Sequence, residues 1–353
     1  MKVQTTPFGS LPDGRQANLY TITNNNGFMV QATNYGGIIT KIEMPDKDGA
    51  KGNVVLGFDN LADYFNPAYL ENYPYFGAVI GRYCNRISKG NLSIGGQSYP
   101  LAVNNGPNHL HGGQQGFDTK LWEATIIESG DEAGIKLKYL SPHLEEKYPG
   151  NLEVYCSYLL NDNNEFRIRY HASTDETTVV NLTNHTYFNF TEGRDNILNH
   201  ELKLASSGMT EMSDQIPTGT IVSVLDTPYD FSEFKSLGNE LKQLPYGYDD
   251  NYVLDNDKGE LKYAGTLREK KSGRMVEVYT TQPGMQLYTG YWIPELELDG
   301  TKKFGSFSGV ALEPQHYPDS PNHPNFPSTL LMPGDKYQEE TVYKFFTGKD
   351  WKS

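Results

Sequence analysis

Two runs of this sequence each carry one titratable group whose setting needs an explanation, an imidazole in the first and a carboxylate in the second. His185 lies in the run Asn181 to Phe190, Asn-Leu-Thr-Asn-His-Thr-Tyr-Phe-Asn-Phe. Read at the two-residue period of a strand, one face carries Asn181, Thr183, His185, Tyr187 and Asn189. The other carries Leu182, Asn184, Thr186, Phe188 and Phe190. The second face can pack; the first either meets water or lines a polar cleft, with His185 as the group that changes charge near neutral pH. Glu313 lies in Gly-Val-Ala-Leu-Glu-Pro-Gln-His, where Val310 and Leu312 point one way and the carboxylate the other, at a strand end expected at Pro314. A carboxylate closing an apolar strand must be paired, solvated or functional.

Further polar groups are grouped at four places. Arg82 and Arg86 stand four apart around Asn85 in Gly77 to Gly90; such arginines are solvated or salt-bridged, or form a rigid fork that donates to hydroxyls or a carboxylate. The loop Asn104 to Gly113 displays His109 and His111. A His-x-His pair invites a zinc reading, but no Cys or further His stands nearby to complete a closed site. Asp249 and Asp250 precede an apolar strand, either in a solvated turn or as ligand-binding carboxylates; the spacing of a calcium loop is missing. Gln286 and Tyr288 fall on one face after a Pro-Gly turn, and a glutamine amide suits a sugar hydroxyl. His316 and His323, in the Pro-rich loop after Glu313, are expected to be structural.

The elements that must position these groups are strands. Among 353 residues there are 35 Gly, 20 Pro and 25 Tyr, spread among short apolar runs and turns. Leu19 to Thr23, Met29 to Asn34 and Ile38 to Met44 read as scaffold strands. Trp122 to Ile127, Ile135 to Leu140, Leu152 to Leu160 and Phe166 to His171 read as a meander leading into the His185 run. Helical periodicity is scarce, with short helices expected at Leu61 to Phe65 and Phe231 to Leu241. No linker or low-complexity tract divides the chain, so residues 1–353 read as one domain. The net charge of -14 argues against nucleic-acid or anionic-membrane partners. No apolar run is long enough for a signal peptide or a membrane span, which makes a cytoplasmic location the default. Cys84 and Cys156 imply no disulfide framework and are expected as buried free thiols.

Six motifs, in order, resemble the aldose 1-epimerases, the galactose mutarotases: Gly-Arg-x-x-Asn-Arg-Ile (Gly81 to Ile87), Asn-x-Leu-His-Gly-Gly (Asn108 to Gly113), Asn-Leu-Thr-Asn-His-x-Tyr-Phe-Asn (Asn181 to Asn189), Gly-x-Asp-x-Asn (Gly247 to Asn251), Thr-Thr-Gln-Pro-Gly-x-Gln (Thr280 to Gln286) and Leu-Glu-x-Gln (Leu312 to Gln315). The resemblance covers nearly the whole chain. It implies an all-β fold, a large antiparallel β-sandwich with few short helices and an open sugar cleft. It also implies no cofactor and no metal in the chemistry, a small-molecule aldose such as galactose or glucose as partner, and a monomer or weak homodimer. By the same resemblance His185 is the general acid, Glu313 the general base and His111 a second cleft histidine near the sugar ring oxygen. Asn85, Arg86, Tyr187, Asp249 and Gln286 match sugar-binding positions, whereas His109 and Cys84 match positions with no fixed requirement.

The implied reaction interconverts anomers through the open-chain aldehyde. A proton leaves the anomeric hydroxyl and another reaches the ring oxygen, so a carboxylate and an imidazolium flanking one acetal carbon suit it. His185 is expected to be kept protonated by Asp249 and Glu313. Two other classes of function use the same residues: a glycoside hydrolase with Asp249 and Glu313 as its carboxylate pair, and a carbohydrate-binding β-sandwich without turnover.

Overall fold

The computed structural model describes residues 1–256, 259–298 and 302–348. The expected span of 1–353 therefore includes residues outside those described. Alternating apolar positions build three main antiparallel sheets. A nine-stranded sheet runs, in spatial order, through Glu123–Ser129, Glu132–Ser141, Leu152–Asn161, Glu165–Thr174, Tyr337–Thr347, Arg274–Thr280, Lys262–Glu269, Glu201–Leu204 and Lys235–Ser236. A six-stranded sheet orders Tyr187–Phe188, Val310–Gln315, Gly284–Tyr288, Asp249–Val253, Gly208–Ser213 and Ile216–Ser223. The first five strands, Lys2–Ser10 to Lys51–Asn53, form a sheet in chain order. The chain is thus a large antiparallel β-sandwich. Its main core joins Ile135, Leu137, Val154 and Ile168 of the nine-stranded sheet to Tyr252, Leu287, Val310 and Leu312 of the six-stranded one. Both cysteines are free and buried. No helix among the described residues is long and apolar enough to cross a membrane.

The scaffold strands and the meander fall where alternation puts them. The segment Leu61 to Phe65 contains a single 3-10 turn, Ala62–Phe65. Phe231 to Leu241 is not a helix: Lys235 and Ser236 pair with Leu202 and Glu201 at the sheet edge. That edge pairing buries Leu237 without helical periodicity. One short α-helix, Pro67–Glu71, was not expected, although Asn66 caps it by accepting from the Ala68 N–H at 2.9 Å and Pro67 opens it.

The largest departure is the His185 run. Instead of one strand it forms two separate two-residue pairings, Thr183–Asn184 with Val79 and Ile80, and Tyr187–Phe188 with Ala311 and Val310, and it is buried on both sides. Its supposed polar face is largely occupied internally. Asn181 exchanges bonds with the His316 backbone at 3.0 and 3.2 Å, Thr183 Oγ1 donates to Pro314 O at 2.8 Å, and Asn189 Nδ2 donates to the Asp195 and Ser308 carbonyls at 2.8 Å each. Buried polar side chains need such partners. These bonds lash the run to the strand of Glu313. Pro314 does not end that strand either, since Gln315 still pairs with Gly284.

Candidate active site

Strand register sets out the floor of the cleft. Asn251, Gln286 and Glu313 lie opposite one another in a row across three strands; Asp249, Tyr288, Ala311 and Tyr187 form the next row on the same face. The intervening Leu287 and Leu312 point into the core. His185 enters beside these rows, its backbone held by bonds to Ala78 O at 2.9 Å and from the Gly77 N–H at 3.0 Å. His185 Nε2 then stands 3.6 Å from Glu313 Oε1, both side chains almost fully buried. The pair faces a cleft of about 500 Å³ lined also by Tyr75, Asn85, Arg86, His111, Tyr187, Asp249, Gln286 and Tyr288. A larger hollow of about 760 Å³, beside Ser206 and Tyr317, has, among the described residues, Asp255 as its one lining carboxyl and no imidazole.

The structure thus brings together all the expected site residues: His185, Glu313, His111, Asn85, Arg86, Tyr187, Asp249 and Gln286. Gln286 Nε2 donates to Asp249 Oδ1 at 2.7 Å, and Arg86 Nη1 lies 4.0 Å from the other oxygen. Arg86 is anchored in turn by Asn105 Oδ1, which accepts from its Nε at 3.0 Å. Asn85 and His111 both have left-handed backbones, φ 61° and 52°. They are locked together: the Asn85 N–H donates to His111 Nδ1 at 3.1 Å, and the His111 N–H to Asn85 O, also at 3.1 Å. Only glycine fits next to His111. At Gly112 φ is +86° and a Cβ would stand 1.9 Å from Gly81 O.

Other expectations separate. Arg82 does not form a fork with Arg86; it is buried, donating to Ser141 Oγ at 2.6 Å and to the Pro149 and Gly150 carbonyls at 2.7 and 3.0 Å. Asp250 lies on the face opposite Asp249, where burial pushes its carboxyl up to about 7. Both ring nitrogens of His109 are engaged, with Ala102 O at 2.7 Å and the Tyr148 hydroxyl at 2.6 Å, so it does not share a ligand with His111. His316 ties to Gln282 Oε1 at 2.8 Å, a structural contact.

The protonation states differ from the expected imidazolium. Burial pushes His185 down to about 3. Burial, reinforced by the charge of Asp249, raises Glu313 well above the usual carboxylate range, and Arg86 pulls it back only in part. Glu313 Oε2 has no protein hydrogen-bond partner among the described residues. In so dry a place the pair keeps its proton on the carboxyl and leaves the imidazole neutral, because the charged form of each loses its hydration. Burial also lowers His111, aided by the nearby His185 ring, which a second proton would charge, and by the Arg86 guanidinium. Its Nδ1 accepts from a backbone N–H and so carries no proton, which makes Nε2–H its donor.

Sequence reasoning gave no role to two aromatic walls. Tyr75, at φ 57°, stacks on His185 with ring centroids 5.9 Å apart and meets His111 edge-on at 4.7 Å. Tyr288 approaches both His185 and Tyr187, and its hydroxyl accepts the Trp292 N–H at 2.8 Å. Tyr288 carried a signal in its strand phase with Gln286. The only hint at Tyr75 was the aromatic, Pro-containing run Tyr73 to Tyr75.

Residues 18–344 match the family model described as Aldose 1-epimerase. The galactose mutarotase of Mus musculus is 41% identical and that of Bos taurus 40%, each over 98% of this chain and 99% of the relative. A solved GalM/aldose epimerase homologue from C. elegans superposes with a TM-score of 0.83 at 29% identity, covering 93% of this chain and 98% of that one.

Proposed function

The chain belongs to the aldose 1-epimerase family and interconverts the α and β anomers of an aldose, and from that premise we propose that Glu313 and His185 move the protons of ring opening and closure. The observation that carries this reading is the 3.6 Å approach of His185 Nε2 to Glu313 Oε1 on the floor of a polar cleft. Arg86, Asp249 and Glu71 are the other charged side chains lining the cleft, and Asn85, Tyr187, Gln286 and the Nε2–H of His111 supply uncharged hydrogen-bonding groups. That donor and acceptor set suits a neutral, hydroxyl-rich hexose such as galactose or glucose.

The reaction needs one proton across the pair. With it on His185, Glu313 accepts the proton of the anomeric hydroxyl, His185 delivers its own to the ring oxygen, and the C1–O5 bond breaks to give the open-chain aldehyde. The proton count of the pair is unchanged, and the proton now resides on Glu313. Rotation about the C1–C2 bond turns the other face of the aldehyde to O5, and the reverse transfers close the ring. The arrangement favoured by burial, neutral imidazole and protonated carboxyl, is therefore that of the open-chain stage. Arg86 near the carboxylates, together with hydrogen bonds from the sugar hydroxyls, stabilises the charged arrangement that starts the cycle. Each positioned acid or base contributes roughly 10²- to 10⁴-fold. A paired-carboxylate hydrolysis is less well supported, because Asp249 is committed to Gln286 and the partner facing Glu313 is an imidazole.

Polarimetry of freshly dissolved α-D-galactose and α-D-glucose tests the reading. The protein should bring rotation to equilibrium far faster than water does, and Glu313→Gln should return it nearly to the spontaneous rate. Undiminished activity in that variant would remove Glu313 from the mechanism.

A further inference from the structure

The Pro-rich loop after Glu313 is held against the segment that carries Arg86, and one buried residue, Asp319, makes two of the bonds across the joint. Asp319 is 2% exposed and takes a left-handed backbone at φ 56°. Its N–H donates to Arg86 O at 2.8 Å, and its Oδ1 accepts the Ser88 N–H at 2.9 Å, so one residue grips the chain on both sides of Ile87. The carboxylate is itself oriented: Asn322 Nδ2 donates to Oδ1 at 2.6 Å, and His323 Nε2 stands 3.3 Å from Oδ2. Burial, opposed by the Ser88, Asn322 and His323 contacts, raises its carboxyl above the usual range, so the group occupies a dry position that these partners must offset.

Arg86 is the single lysine or arginine among the residues lining the cleft. Asn105 holds its Nε and Asn85 Oδ1 accepts its backbone N–H at 2.8 Å, but both of these belong to the paired segments around Arg86 and His109. Asp319 comes from the loop after the Glu313 strand, six residues beyond Glu313. A parallel stitch, from the Ser320 N–H to the Tyr83 hydroxyl at 3.2 Å, repeats the link one residue along.

We propose that Asp319 is a positioning residue for Arg86, fixing the guanidinium-bearing segment relative to the Glu313 strand so that the sugar meets both at the right separation. The inference rests on the reading of Arg86 as a sugar-binding residue. It adds that this binding is set by a side chain outside the cleft.

The test compares Asp319→Ala, Asp319→Asn, Arg86→Ala and the double variant Arg86→Ala/Asp319→Ala by polarimetric kcat and KM on α-D-galactose. Asp319→Ala should raise KM about tenfold, the effect of losing the hydrogen bond to the part-buried Ser88 N–H, with kcat within about threefold of the parent. Asp319→Asn keeps an oxygen for the Ser88 N–H and should recover most of that loss. The double variant should have the KM of Arg86→Ala alone, because the joint acts only through that arginine. Should Asp319→Ala not accumulate as folded protein, Asn322→Ala, which frees the same carboxylate to swing, takes its place with the same double-variant comparison. A raised KM in Arg86→Ala with none in Asp319→Ala overturns the inference and spares the sugar-binding reading. Multiplying effects in the double variant overturn it in the same way, and an unchanged KM in Arg86→Ala overturns both.

Discussion

The backbone N–H of Asn85 donates to Nδ1 of His111 at 3.1 Å, and this one contact decides what His111 can do. A nitrogen that accepts a hydrogen bond from a backbone amide cannot also carry a proton, so His111 is a neutral donor through Nε2 and not a general acid.

The first prediction concerns that tautomer. Nitrogen chemical shifts of His111 should show the Nε2–H form from pH 5 to pH 8, with no titration, because burial, the adjacent His185 imidazole and the Arg86 charge hold the imidazole well below its ordinary range. His111→Phe should lower kcat by roughly 10²-fold, the loss of one preorganised donor. A His111 that titrates near 6.5 would refute the assignment.

The rate should be nearly independent of pH across neutrality. The Glu313–His185 pair holds a single proton over the range between the depressed imidazole, about 3, and the raised carboxyl, and internal transfer within the pair does not depend on pH. Activity should fall on the acid side when the imidazole gains a second proton, and on the alkaline side when the pair loses its only one. A bell centred on pH 5 to 6, with limbs at unshifted glutamate and histidine values, would show that burial does not govern this site.

The two arginines of Gly81 to Ile87 should separate cleanly by experiment. Arg82→Leu removes the donor from the Pro149 and Gly150 carbonyls and from Ser141 Oγ in a dry place and should destabilise the protein by about 3 to 5 kcal/mol in urea unfolding. Arg86→Ala should change unfolding far less and act on KM. Equal stability losses in the two variants would contradict the division of labour.

Stability should change little between about pH 4.5 and 6.5, through a cancellation. Burial depresses His109, His200 and His316 to about 4, His185 to about 3 and His111 well below its ordinary value; their contribution is complete above the unfolded value of 6.5 and is lost as pH falls through the folded values. Burial raises Asp118, Asp250 and Glu339 to about 7, and Asp319 and Glu313 above their ordinary values. Their contribution is complete below the unfolded values and is lost as pH rises through the folded ones. Between those limits the two sets oppose each other, each proton worth about 1.4 kcal/mol per pH unit. Calorimetry should find a nearly constant Tm for the parent. Glu339→Gln removes one carboxyl from the balance and should make stability fall on acidification; a parent Tm that already drops steeply over this interval would refute the cancellation.

Much of the site was legible in the sequence, for reasons that differ by residue. Glu313, Gln286 and Tyr288 could be read because alternation within a true strand fixes which face each occupies. His185 and Tyr187 could be read from the motif, but not from the pattern. Their run looks like one alternating strand, and nothing local reveals that Asn181, Thr183 and Asn189 spend their hydrogen bonds on the His316, Pro314 and Ser308 backbone more than a hundred residues away. Arg82 and Arg86 are the same residue type four positions apart. What separates them is the contact with Ser141 and Pro149, which no window around residue 84 contains. The helix Pro67–Glu71 was announced by Asn66-Pro67, a cap signal in a segment too short to show helical periodicity.

The two rows of cleft residues cross strands that are hydrogen-bonded in a fixed register, so the acid–base chemistry is stored partly as a phase. Glu313 faces the cleft and Leu312 the core only because of where the strand begins its count; deleting one residue ahead of Glu313 within Val310–Gln315 would turn the carboxylate inward while leaving composition almost unaltered. Substitutions at Gln286 or Tyr288 keep that phase and change only the side chain presented to the cleft. Changes of length are confined to the turns, where they leave the phase intact.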